Sequence, residues 1–115
     1  MVTAHPSEAP TSTEGKGFQC FLITPQGKIL DDRVTFVSAP GAMGSFGVLA
    51  GHAPMVAVLK NGILKIQKDQ EVQLYSIDSG VLEVRTLDHA VLILVDQAVK
   101  TTEHQVMSHQ IGIKN

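Results

Sequence analysis

Between Phe18 and Lys100 the sequence never runs far without a turn signal. Short stretches rich in Val, Ile, Leu and Phe are separated by Pro-Gln-Gly, Pro-Gly, Asn-Gly, Lys-Asp, Ser-Gly and Leu-Asp. Punctuation this frequent leaves no room for a helical period, and branched side chains favour extended backbone, so the stretches read as strands. In FQCFLIT, Phe18, Cys20 and Leu22 share one face. In DRVTFVSA, Val34 and Phe36 fall together, and in EVQLYSI, Val72 and Leu74 oppose Tyr75 and Ile77. HAVLILVD is apolar on both faces, which fits a strand covered from both sides or a buried helical turn, and its shortness and branched residues favour the strand. Pro25 presets one turn residue and Gly27 accepts a positive φ, while KDQE closes a hairpin between Leu64–Lys68 and Glu71–Ile77. The fold expected is all-β: an antiparallel sandwich or flattened barrel.

A chain of 115 residues with 43% hydrophobic and 17% charged content supports one modest core. That core is placed in residues 18–100. Residues 1–17 are rich in Pro, Ser, Thr and Gly and poor in large apolar side chains, so they are expected to be a disordered tail. They lack the basic start and apolar stretch of a secretory signal, and no later run is long enough to cross a bilayer. Residues 101–115 are expected to form a short tail, either a frayed end or one docked helical turn capped by Thr101 or Thr102 with Val106, Met107 and Ile111 as its apolar side. A net charge of -2 with scattered Lys and Arg offers no basic patch for nucleic acid. Cys20, the single cysteine, makes no internal disulfide and reads as a small buried apolar residue.

GSFGVLAGHAPMVAVL crowds glycines, a histidine and a proline into an apolar run. Glycines 41, 44, 47 and 51 lack the Gly-Lys-Ser/Thr ending of a phosphate loop and are read as bends and close approaches. The histidines have no metal-ligand spacing, and no metal or cofactor is expected. Ser45, His52 and Asp78 supply the residue types of a hydrolase triad, but Ser45 sits in MGSFG rather than a nucleophile elbow. A hydrogen-bonded structural histidine is the plainer reading of His52. Met43 and Phe46, in a loop or strand edge, either enter the core or form an adhesive patch.

LITPQGKIL, VTFVSAPG, GSFGVLAGHAPMVAVLKNGILKI, IDSGVLEV and AVLILVDQAV, in that order, resemble the epsilon subunit of F-type ATP synthase over residues 18–100. The resemblance implies a ten-stranded sandwich, without catalytic residues or cofactor, in the rotor's central stalk. The implied partners are the gamma subunit and the c-ring, with the alpha-beta hexamer reached through the complex. The resemblance further implies a role in coupling ion flow to ATP synthesis from the F1-bearing side of an energy-transducing membrane, in a bacterium the cytoplasmic face. The resemblance places Gly41, Ala42, Met43, Gly44, Ser45 and Phe46 at the c-ring, and Gly51, His52, Ala53 and Pro54 at the junction of gamma and c-ring. Where the family commonly carries a Glu-Gly-Glu-like run, this chain has Met43, Gly44 and Ser45. Its c-ring contact is therefore expected to be apolar and shape-based, with Met43 and Phe46 contributing. The family's C-terminal helical hairpin and Asp-x-x-Arg-Ala motif have no counterpart after Lys100, which implies neither ATP sensing nor hairpin inhibition. A free-standing ligand-binding sandwich and a small hydrolase remain the competing readings.

Overall fold

Alternating burial and tight turns produce the architecture of the computed structural model, which describes residues 17–102. Its strands are β1 (Phe18–Thr24), β2 (Gly27–Val34), β3 (Phe36–Gly41), β4 (Gly44–Leu49), β5 (Met55–Leu59), β6 (Gly62–Lys68), β7 (Glu71–Ile77), β8 (Gly80–Arg85), β9 (Ala90–Val95) and β10 (Ala98–Thr101). No helix interrupts them among the described residues. Most of the expected C-terminal turn and N-terminal tail lies outside those residues. Thr101 itself ends β10 instead of capping a helix.

The hairpins form where the turn chemistry asks for them. Pro25–Gln26 join β1 to β2 with Gly27 at φ 132°, and Thr24 Oγ1 accepts from the Gln26 amide at 3.1 Å. Asp69–Gln70 join β6 to β7 with Asp69 at φ 55°, a left-handed conformation that Asp tolerates better than most residues. Ala42–Met43 join β3 to β4 in the same compact way.

The strands make one curled sheet in the order β10-β7-β6-β3-β5-β8-β9-β1-β2, with β4 added against β3. The curl turns at β3, which pairs with β6 through Phe36–Ser38 and reaches β5 at Gly41. Its concave side holds Cys20, Leu22, Val37, Leu59, Leu64, Ile66, Leu82 and Ile93, all at most 1% exposed. Where β2 approaches β6, the Thr35 amide donates to Gln67 O at 2.8 Å and Lys68 Nζ meets Asp32 Oδ2 at 2.6 Å.

Strand neighbours are antiparallel except β1 and β9, which run parallel. A parallel pair needs a long crossover, and here β2 through β8 supply it. The face shared by Phe18, Cys20 and Leu22 is buried as expected, and of the two opposed faces of β7 it is that of Tyr75 and Ile77 that enters the core. Val34 and Phe36 part company. A bend at Thr35 separates β2 from β3 and reverses the alternation, so Val37 and Ala39 enter the core while Phe36 lies across Gly47 on the outer face. β9 is covered on its inner face alone, since Leu94 remains 44% exposed.

The contact between β2 and β6 is held partly by charge. The ammonium of Lys68 and the amide of Arg33 hold the Asp32 carboxyl below its ordinary 3.8. A depressed carboxyl contributes stability above its unfolded value and loses it as pH falls through the folded one. Asp32→Asn is expected to destabilise the domain slightly at neutral pH, and the gap from wild type is expected to close below pH 3.8. Urea denaturation across pH 2–7 checks this; a gap that persists at low pH would show that the ion pair is not its source.

Candidate functional site

The residues singled out in GSFGVLAGHAP fall into a protruding hairpin and a strand-connecting loop. The hairpin has a built-in reason to be sharp. Gly41 faces Gly44 across the turn, and a Cβ on Gly41 would meet Gly44 O at 2.7 Å and the Phe46 ring at 2.9 Å. Gly44 takes φ 132°, which a side chain would strain. With both glycines in place the turn projects Met43 into solvent, 99% exposed, beside exposed Ala42 and Ser45.

Phe46 behaves differently from Met43. It is half-buried, packs against the core and covers Gly41. Its ring anchors the hairpin from beneath, and the outward apolar surface at the tip is that of Met43. Phe46 shares its face of β4 with Val48, which is a core residue.

The connecting loop is organised around one turn. The His52 amide donates to Leu49 O at 3.1 Å, and Gly51 takes φ 85°, the geometry required of the third residue of a type II turn. Gly51, Ala53 and Pro54 are exposed and His52 is half-buried. Ala50 occupies the second turn position, where proline is favoured. Ala50→Pro is expected to raise stability by about 0.4–1 kcal/mol by restricting the unfolded chain, measurable as a higher urea midpoint at unchanged slope.

His52 Nδ1 lies 2.7 Å from Ala53 O. A carbonyl only accepts, so Nδ1 carries the proton. No hydrogen bond links Ser45, His52 and Asp78 among the described residues, so the triad types are present without triad geometry. Burial pushes the Cys20 thiol up to about 12, with the Asp32 charge adding to the shift, so at neutral pH it is no nucleophile. A separate cleft of about 310 Å³ lies between the β1–β2 turn and β10, lined by Thr24, Gln26, Lys28, Ile29, Gln97 and Val99 among others. Its one cation, Lys28, is held by Asp31 at 2.9 Å. The cleft shares no residue with the hairpin or the loop.

Residues 17–101 match the family described as the ATP synthase delta/epsilon chain, β-sandwich domain. The chain belongs to the ATP synthase delta/epsilon family. The ATP synthase epsilon chain of Pelotomaculum thermopropionicum is 36% identical over 85 residues, covering 74% of this chain and 62% of that one. The chain thus spans less than two thirds of this relative's length. A solved chain in the Euglena gracilis mitochondrial ATP synthase, in an assembly of OSCP, F1 and c-ring, superposes with TM-score 0.71 at 25% identity, covering 84% of this chain and 62% of that one. Another, from the central stalk and c-ring of Tetrahymena thermophila mitochondrial ATP synthase, shares the fold with TM-score 0.62 at 22% identity, over 70% and 63% of the two chains. In this delta/epsilon-family sandwich the hairpin and the loop are two of the irregular features that the strands hold out to solvent, the turn over residues 86–89 with exposed Leu87 being another.

Proposed function

We propose that this delta/epsilon-family chain is a non-catalytic rotor subunit that links a gamma subunit to a c-ring and so couples ion flow to ATP synthesis. It sits peripherally on the F1-bearing side of the membrane, in a bacterium the cytoplasmic face, and the alpha-beta hexamer is reached through gamma. The observation that carries this reading is the Met43 hairpin: a glycine-sharpened, fully exposed apolar tip on a sandwich whose Euglena relative is found in an assembly with a c-ring. A turn that spends two glycines on exposing a large apolar residue is built for a protein surface.

A second surface supports the gamma contact. On the outer face of the sheet Val58, Val81 and Leu94 form one cross-strand row, 61%, 38% and 44% exposed, and Val56 stands beside them at 68%. A contiguous apolar strip across three neighbouring strands is suited to a lasting partner. The hairpin residues Gly41–Phe46 are assigned to the c-ring, and Gly51, His52, Ala53 and Pro54 to the junction of gamma and c-ring. Nucleotide sensing is not part of the proposed role.

Co-purification tests the reading. The full chain, mixed with the gamma subunit and c-ring of its own synthase, is expected to elute with both and to restore coupled ATP synthesis to a complex lacking this subunit. Met43→Ser separates contact from folding, because Met43 lies outside the core, whereas Phe46→Ser would loosen the hairpin itself. Met43→Ser is expected to leave the unfolding midpoint unchanged and to lower rotor assembly. Full assembly and coupling by this variant would remove the hairpin from the contact.

A further inference from the structure

We infer that Glu83 is the charged anchor of the gamma contact, and that the gamma subunit buries it against a basic side chain of its own. The inference rests on the rotor reading and names the chemistry that the gamma surface has to carry. Register puts Glu83 in the middle of the outward apolar face. Val58, Val81, Leu94 and Ile23 are cross-strand neighbours over β5, β8, β9 and β1, and in the next row Val56, Glu83, Leu92 and Phe21 follow the same order. Glu83 therefore has Val56 on one side, Leu92 on the other and Val81 two residues before it on the same face of β8. It is half-buried among them.

The other charges around this face are matched within the chain. Lys28 pairs with Asp31 at 2.9 Å and lies 5.5 Å from the centroid of the Phe21 ring, and Gln19 Nε2 donates to Asp31 Oδ1 at 2.8 Å. Arg85, two residues after Glu83, is turned to Asp88 at 3.1 Å. Glu83 has no ion pair or side-chain hydrogen bond among the described residues, so in the free chain solvent meets its charge. A partner that covers the apolar row removes that solvent as well. The hydration a carboxylate then loses is not replaced by the apolar groups around it, so a lasting complex needs a cation at this point. A guanidinium fits best, because its planar fork takes both carboxylate oxygens and sheds water more readily than an ammonium. The pair also fixes orientation, since apolar rows tolerate sliding and a single ion pair has one register.

Binding of the full chain to the gamma–c-ring complex of its own synthase, titrated at low and high salt, tests this. Glu83→Gln keeps the shape and removes the charge. It is expected to bind about ten- to a hundredfold more weakly, and the gap is expected to persist at high salt because a covered pair is poorly screened. Glu83→Leu is expected to bind weakly too, although it makes the face more apolar, since it leaves the cation of gamma unmatched. Glu71→Gln, on β7 outside this face, removes the same charge and is expected to stay within about threefold of wild type. Equal or tighter binding by either Glu83 variant, a deficit that vanishes at high salt, or an equal loss in Glu71→Gln would overturn the inference while leaving the rotor reading intact. A wild-type chain that does not bind at all overturns the rotor reading, and the anchor with it. The urea midpoint of Glu83→Gln is expected to match wild type, because Glu83 holds no polar contact within the described fold, and this separates lost binding from lost fold.

Discussion

Leu22→Ala is expected to lower the unfolding free energy by about 2–5 kcal/mol, a large share of the roughly 5–15 kcal/mol that such a domain possesses. Leu22 is 0% exposed and lies on β1, paired with Leu30 of β2 on one side and with Ile93 of β9 on the other. Truncation loses the transfer energy of the removed carbons and also leaves a void, which the surrounding strands fill poorly because ladder bonds on both sides of β1 restrain their approach. β1 also joins β2 to the parallel edge of β9, so loosening it weakens the attachment of a whole hairpin. Urea unfolding is expected to show a lower midpoint at unchanged slope, and Leu22→Met is expected to cost less than about 1.5 kcal/mol. A loss below about 1 kcal/mol for Leu22→Ala would mean that β1 repacks freely.

Gly80→Val is expected to cost about 3 kcal/mol or more, at the upper end of overpacking effects. Gly80 begins β8 and pairs with Leu59 of β5 and Val95 of β9. A Cβ at this position would run into Leu94 O and would lie 2.7 Å from Val95 Cγ1 and 2.9 Å from Val95 Cα. Two of these three atoms are backbone, so no side-chain rotation relieves the clash. The nearby crossing is fixed as well: the Asp78 amide donates to Gln97 O and the Asp96 amide to Ser79 O, both at 3.2 Å. Gly27→Ala is the instructive contrast. Nothing lies within 4 Å of a Cβ there, and the cost is backbone strain from φ 132°, expected at about 1 kcal/mol. If the two glycine variants were equally stable, close packing would not be the reason for glycine at Gly80.

Sequence alternation is a local rule, and it succeeds where the chain stays straight. It assigns the buried face of β1 and separates the two faces of β7 because neither strand bends, and it locates the Pro25–Gln26 and Asp69–Gln70 turns because their chemistry is confined to a few residues. It places Val34 and Phe36 together because it has no means of registering the bend at Thr35, where a backbone bond to Gln67 on a distant strand redirects the chain. For β9 the limit is different. Leu94 is apolar whether or not another layer covers it, and the described residues leave it 44% exposed.

At the candidate site the glycines were legible as bends, while the division of labour between Met43 and Phe46 was not. Both are large, apolar and near the same turn. Met43 lies in the two-residue connection and has no ladder partner, whereas Phe46 pairs with Ala39, whose own burial draws that face of the hairpin into the core.

By itself the sequence determined the all-β class, the positions of the tight turns and the family, since these depend on residue types at short, ordered spacings. The tertiary structure alone decided the parallel joining of β1 to β9, the turning of Phe46 inward and the isolation of Met43 at a solvent-exposed tip. Each depends on which distant strand lies alongside, and in a curled sheet that is set by burial and backbone pairing summed over the whole domain.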